Sequence, residues 1–192
     1  MSVRLLAFCG SARRESFSRR LLAVAVASAR AAGAEVTELD LRSDLLPMYD
    51  GDLEATQGLP AAALELKAQF AAHDGFLIAS PEYNGFFPPL LKNTIDWVSR
   101  PAPKVPNAPD PYAGKAAGLV AASPGALGGI RCLPHLRLLL TNLGVTVSPA
   151  QLALGQADRA FAADGSLADA GMQKMLGKVV ANLIRLAAAI KT

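Results

Sequence analysis

Cysteine and histidine are scarce in this chain of 192 residues, with two of each. Cys9 and Cys132 lie far apart and form no CxxC pair, which excludes a disulfide framework and a zinc site of the usual spacing. With His73 and His135 as the only imidazoles, the sequence predicts no metal centre. Charged residues make up 18% against 52% hydrophobic, a balance that excludes intrinsic disorder. Long apolar runs are missing too. Stretches such as Leu21–Ala29 fall short of the ~20 residues that a membrane-spanning helix requires. At the start, Leu5–Cys9 is too short for a signal-peptide core, and Phe8 before Cys9 does not suit cleavage or lipid attachment, so the expected location is cytoplasmic. Three catalytic or nucleotide strings are also lacking: GxGxxG, GxxxxGK followed by Ser or Thr, and GxSxG.

What is present begins with length. At 192 residues the prior is one domain over 1–192, large enough to bury about 70% of its unfolded surface without metal or disulfide. Apolar runs alternate with helical stretches. Strands are predicted at Val3–Cys9, Glu35–Leu41, Phe76–Ser80, Ala116–Ala122 and from Val145, either to Val147 or on through Leu154. Helices are predicted at Phe17–Ala32, closed by Gly33, and at Pro60–Ala72, Leu90–Arg100, Ile130–Leu143 and Met172–Ile190. The stretch before Gly58 reads as polar and irregular. Pro101–Pro111, PAPKVPNAPDP, reads as a stiff surface loop, since its prolines can neither join a central strand nor continue a helix. This alternation predicts an α/β, doubly wound parallel sheet.

In such a sheet, ligands sit beyond the carboxyl ends of the strands. The first of these turns is CGSARRESFSRR, with hydroxyls at Ser11, Ser16 and Ser18 and a guanidinium at Arg13, all at the start of a helix. A helix N-terminus offers unsatisfied N–H groups and a partial positive charge. Hydroxyl donors plus one guanidinium suit a terminal monophosphate such as that of FMN. The structural alternative is that Ser16 or Ser18 simply caps the helix.

The third strand leads into SPEYNGFFPPLLKNTIDWVSR, where Tyr83, Phe86 and Phe87 could form a platform for a planar ring. Backbone groups of Glu82, Tyr83 and Asn84, with the Asn84 amide, could meet the polar edge of an isoalloxazine. The fourth strand leads into ASPGALGGIR, where Ser123 adds a hydroxyl and Gly125, Gly128 and Gly129 allow close backbone approach. Each loop alone could be an ordinary turn. Three ligand-compatible turns at successive strand ends converge on one crevice.

The strings GSARRESFSR, PEYNG with LKNTIDWVSR, and SPGALGGIR, in that order, resemble the NADPH-dependent FMN reductase family of flavodoxin-like proteins, which includes quinone, chromate and azo-dye reductases. The resemblance implies a flavodoxin-like five-stranded sheet of order 2-1-3-4-5 with helices on both faces. It implies FMN as cofactor and NADPH or NADH as co-substrate. By the same resemblance, Ser11, Arg13, Ser16, Phe17 and Ser18 would hold the FMN phosphate; Pro81, Glu82, Tyr83, Asn84 and Gly85 would line the isoalloxazine; Ser123, Gly125 and Gly128 would close the other side. Ser18 stands where the family often has Asn, and Pro101–Pro111 is longer than the usual connection, which bears on access to the ring. The family also implies a homodimer or homotetramer, to which the helix bearing Leu91, Ile95 and Val98 could contribute, the alternative being that these residues are core.

The expected reaction is hydride transfer from NAD(P)H to flavin, then two electrons to a small-molecule acceptor such as a quinone or free flavin, with no dedicated catalytic side chain. Four other readings compete. A flavodoxin-type electron carrier would normally be acidic, against a net charge here of +3. A serine hydrolase lacks its motif, and a redox sensor would need a stabilised thiolate at Cys132. Nucleic-acid binding would rest on Arg13, Arg14, Arg19 and Arg20 alone, so no nucleic-acid or membrane partner is expected.

Overall fold

The computed structural model describes residues 2–42, 46–103, 105 and 108–191. Among them, five strands form one parallel sheet. The strands are β1 (Arg4–Cys9), β2 (Glu35–Leu39), β3 (Gly75–Ser80), β4 (Ala116–Ala122) and β5 (Thr146–Leu154). Their order is β2-β1-β3-β4-β5, the flavodoxin-like arrangement that the resemblance implies. Six helices connect and flank them: α1 (Phe17–Ala31), α2 (Gly51–Gln57), α3 (Ala61–Ala72), α4 (Pro89–Ser99), α5 (Cys132–Asn142) and α6 (Ala170–Ile190).

The central strands read as continuous apolar runs because both faces are covered. Side chains alternate across a strand, so Leu5, Ala7 and Cys9 pack with Leu21, Ala25 and Val180 of α1 and α6. Leu6 and Phe8 point the other way, toward Phe70, Leu91, Ile95 and Leu136 of α3, α4 and α5. Leu91, Ile95 and Val98 are therefore core, and Trp97 is fully buried with its Nε1–H donating to Pro47 O at 2.8 Å.

Where the elements differ from the sequence reading, a polar side chain decides. β2 stops at Leu39 rather than Leu41 because the Asp40 carboxylate accepts from the Arg42 backbone N–H at 3.1 Å and pairs with the Arg42 guanidinium, bending the chain. The stretch before Gly58 contains α2, whose N-cap Asp50 accepts from Asp52 N at 2.8 Å and whose first turn carries Asp52 and Glu54. α6 begins at Ala170, two residues early, because Asp169 caps it. Lys92 and Asp96 pair at i, i+4 along α4, and Arg100 pairs with Glu54 of α2.

Two helix ends, those of α4 and α3, are closed by lysine. The buried Lys67 donates to Val98 O and Arg100 O at 2.9 Å, and Lys115 donates to Ala71 O at 2.8 Å and His73 O at 2.6 Å. Burial lowers the pKa of both ammonium groups. The described part of Pro101–Pro111 joins the end of α4 to the amino end of β4, where Ala116 pairs with Gly75. That loop thus lies at the opposite edge of the sheet from the carboxyl ends; Lys104, Pro106 and Asn107 fall outside the described residues.

Candidate active site

Register fixes the site. Cys9 pairs with Ala79 and Ser80 with Ala121, so the chain leaves β1, β3 and β4 at one rim. Gly10 N–H bonds Ala79 O at 2.9 Å across that rim, and a Cβ at Gly10 would come within 2.8 Å of Pro88.

At the first turn, Ser11, Ser16 and Ser18 are all buried, while Arg13 is exposed and its guanidinium has no ion pair among the described residues. Ser16 does cap α1, accepting from Arg19 N–H at 3.2 Å. Capping does not consume the hydroxyl proton. Ser16 Oγ accepts there and its hydroxyl also hydrogen-bonds the Cys9 thiol, whereas Ser11 Oγ accepts from Arg13 N–H at 3.4 Å and keeps its O–H to donate. Ser18 differs, since its O–H is directed at Ala122 O, 3.4 Å away.

The backbone N–H groups of Ser16, Phe17 and Ser18 have no partner among the described residues. Arg19 lies beneath, its Nη2 donating to Ser11 O at 3.0 Å and to Asp40 at 3.3 Å, while its buried Nε has no partner. Hydrogen bonding and ion pairing to Arg42, with Arg19 adding to it, hold the Asp40 carboxyl well below the usual range. The free Ser11 hydroxyl proton, the open amides and an orphaned guanidinium N–H together fit a phosphate monoester. The basic cluster is not a stripe, because Arg19 turns inward and Arg20 lies over the Phe161 ring at 4.2 Å.

The β3–α4 loop is a tight reversal. Asn84 and Gly85 have φ of 53° and 86°, and Tyr83 and Phe86 exchange backbone hydrogen bonds of 2.8 and 3.0 Å. Two successive positive φ values define a type I′ turn, for which Asn-Gly is the preferred pair. The turn leaves Tyr83 and Phe86 44% and 49% exposed, whereas Phe87 is buried. Phe86 stacks on His135 of α5, centroids 3.9 Å apart. No sequence signal links residues so distant.

Pro81 and Glu82 connect β3 to this turn, with the Glu82 side chain committed elsewhere. Its carboxylate accepts from Arg131 N–H at 3.0 Å and Cys132 N–H at 3.3 Å at the start of α5, and pairs with the Arg131 guanidinium. Only the backbone of Glu82 remains for a ligand. Replacing Glu82 by glutamine should lower stability by about 1 kcal/mol, because a cap weakens while the ion pair to the exposed Arg131 adds little. Urea denaturation measures it.

The β4–α5 loop is clamped to β5. Ser123 N–H donates to Leu154 O at 3.1 Å, Gln156 N–H to Gly125 O at 3.2 Å, and Ala157 N–H to Ser123 O at 3.1 Å. Gly128 has φ of 63°, and a Cβ there would sit 2.6 Å from Gly155 N. Its missing side chain is required by β5. Gly125 is open, with Ser123 Oγ at 3.6 Å as the nearest neighbour of a Cβ.

The other chemistries find no geometry. Cys132 is buried, and burial pushes its thiol up to about 11, the reverse of a stabilised thiolate; burial also raises that of Cys9. Both His73 nitrogens are engaged, with Gln69 O at 2.6 Å and Thr37 Oγ1 at 2.8 Å. Among the described residues no three His, Cys, Asp or Glu side chains form a metal-binding group, and no helix is long and apolar enough to cross a membrane.

The comparison with known proteins decides the family. Residues 3–159 match the family described as NADPH-dependent FMN reductase. The chain belongs to that family. As a member of the NADPH-dependent FMN reductases it is an oxidoreductase. The chain is 37% identical over 146 residues to a quinone reductase of Escherichia coli (strain K12), covering 76% of this chain and 73% of the relative. It is 33% identical over 168 residues to an NAD(P)H-dependent FMN reductase of Pseudomonas aeruginosa, covering 87% and 85%. The flavoenzyme NAD(P)H:(acceptor) oxidoreductase from Paracoccus denitrificans has a similar solved structure, with a TM-score of 0.82, 28% identity and coverage of 97% and 98%.

Proposed function

We propose that residues 1–192 form one FMN-binding domain that oxidises NADPH or NADH and passes two electrons to a quinone, free flavin or similar small acceptor. The observation that carries this reading is the first turn, where the buried Ser11 retains a donor beside three open amides at the start of α1 and the exposed, unpaired Arg13. Ser11, Ser16, the amides of Phe17 and Ser18, and Arg13 bind the phosphate; the Ser18 hydroxyl contributes least. Pro81 and the backbone of Glu82, Tyr83, Asn84 and Gly85 line one edge of the ring. Ser123 and Gly125 close the opposite edge, and Gly128 holds their loop against β5.

FMN held by these residues would supply the redox chemistry, as the carrier of a hydride equivalent between the nicotinamide and the acceptor. The protein orients the ring and leaves one face open to both partners in turn. A single face used alternately predicts ping-pong kinetics: parallel double-reciprocal lines when NADPH is varied at several quinone concentrations. Intersecting lines at all concentrations would contradict it.

Self-association as a homodimer or homotetramer is part of this reading. The exposed Phe86, stacked on His135, and the exposed Ile130 and Leu138 at and before α5 support it, since exposed apolar surface favours burial against a second chain. The α4 residues Leu91, Ile95 and Val98 are already covered.

A further inference from the structure

A cavity of about 540 Å³ opens at the carboxyl end of β5, beside the loop that would frame the ring. Ala126, Leu154 and Met172 give it apolar walls, and Gln156, Arg159 and Asp169 supply its polar groups. The volume lies within the roughly 300–1,000 Å³ of small-molecule sites.

Two features set this cavity apart. The Arg159 guanidinium has neither an ion pair nor a hydrogen bond among the described residues, although Asp169 shares the cavity. Asp169 is occupied as the cap of α6, accepting from Met172 N–H at 2.8 Å. Gln156 holds φ at 50°, a left-handed conformation that a non-glycine residue adopts at an energetic cost. Two backbone bonds maintain it: Gln156 N–H to Gly125 O at 3.2 Å and Arg159 N–H to Gln156 O at 3.0 Å. These bonds tie the backbone of the exposed Arg159 to Gly125, on the loop proposed to line the ring. An unpaired guanidinium suits a phosphate monoester, and the apolar walls suit a purine.

We propose that this cavity receives the phosphorylated adenosine end of NADPH, with Arg159 binding the 2′-phosphate and so favouring NADPH over NADH. The identity of the ligand rests on the reductase reading; the affinity of the cavity for the fragment does not require turnover.

Calorimetry of the FMN-loaded protein with 2′,5′-ADP and with 5′-AMP tests it. The wild type should prefer 2′,5′-ADP, and Arg159→Gln should erase that preference by weakening 2′,5′-ADP about tenfold, the loss of one charge-assisted hydrogen bond. Met172→Trp, which fills the cavity from α6, should weaken both fragments. In steady state, Arg159→Gln should lower the NADPH-to-NADH ratio of kcat/KM by a similar factor. Equal binding of 2′,5′-ADP by wild type and Arg159→Gln, or no effect of Met172→Trp, would overturn the proposal. Binding of 2′,5′-ADP through Arg159 without NADPH oxidation would refute the reductase reading and leave the cavity assignment standing. Normal turnover with an unaltered coenzyme ratio in Arg159→Gln would do the reverse.

Discussion

Replacing Arg13 by alanine should weaken FMN binding by roughly ten- to a hundredfold, since charge-assisted hydrogen bonds contribute about 1.5–3 kcal/mol. Arg13 is exposed and unpaired, so its removal breaks no internal contact of the side chain and leaves folding stability within about 0.5 kcal/mol. The serines provide an internal scale. Ser16→Ala removes a hydroxyl of the turn and a helix cap together, and should lower both FMN affinity and stability. Ser18→Ala should change FMN affinity least, because that hydroxyl already points at Ala122 O. Flavin fluorescence titration gives the affinities. An Arg13→Ala protein that binds FMN like the wild type would remove the guanidinium from the site.

Gly128→Ala should destabilise the protein by about 3 kcal/mol. A left-handed backbone costs an alanine about 1–2 kcal/mol, and forcing atoms into a packed contact costs about 1–3 kcal/mol more. The contact is backbone on both sides, with Gly155 N and Leu154 C each 2.6 Å from the added Cβ, so neither can rotate away. For a chain of this size that corresponds to a fall in Tm of about 6–12 °C. Gly125→Ala, three residues earlier, meets only Ser123 Oγ at 3.6 Å and should stay within about 0.5 kcal/mol of the wild type. If the two variants melted alike, the loop would not be clamped to β5 as described.

The fold was legible because its signals are local. Doubly covered strands read as apolar runs, and Gly33, at φ of 86°, ends α1 where a stop was expected. The residues of the turns are legible for the same reason: three hydroxyls and an arginine lie close in sequence, and Asn84–Gly85 encodes its own reversal. α2 carries a start and a stop in Asp50, Asp52, Glu54 and Gly58, but it buries no residue and so shows no apolar stripe in the sequence. What sequence could not reach are the long-range pairings. Glu82 closing α5, Arg19 tying Ser11 to Asp40, Phe86 on His135, and Gly128 against Gly155 each depend on strand order and register. The same holds for the proline-rich loop, whose place at the amino edge of the sheet follows from where β4 begins.

The proposed hold of the α1 turn on FMN predicts a flavin that stays with the protein through purification and works on it. Purified protein loaded with FMN and passed through a desalting column should remain yellow at one flavin per chain. Without oxygen, NADPH should bleach that band and a quinone should restore it. A colourless eluate that also fails to bind FMN in calorimetry, or a yellow protein that NADPH and NADH leave unbleached, would contradict the account.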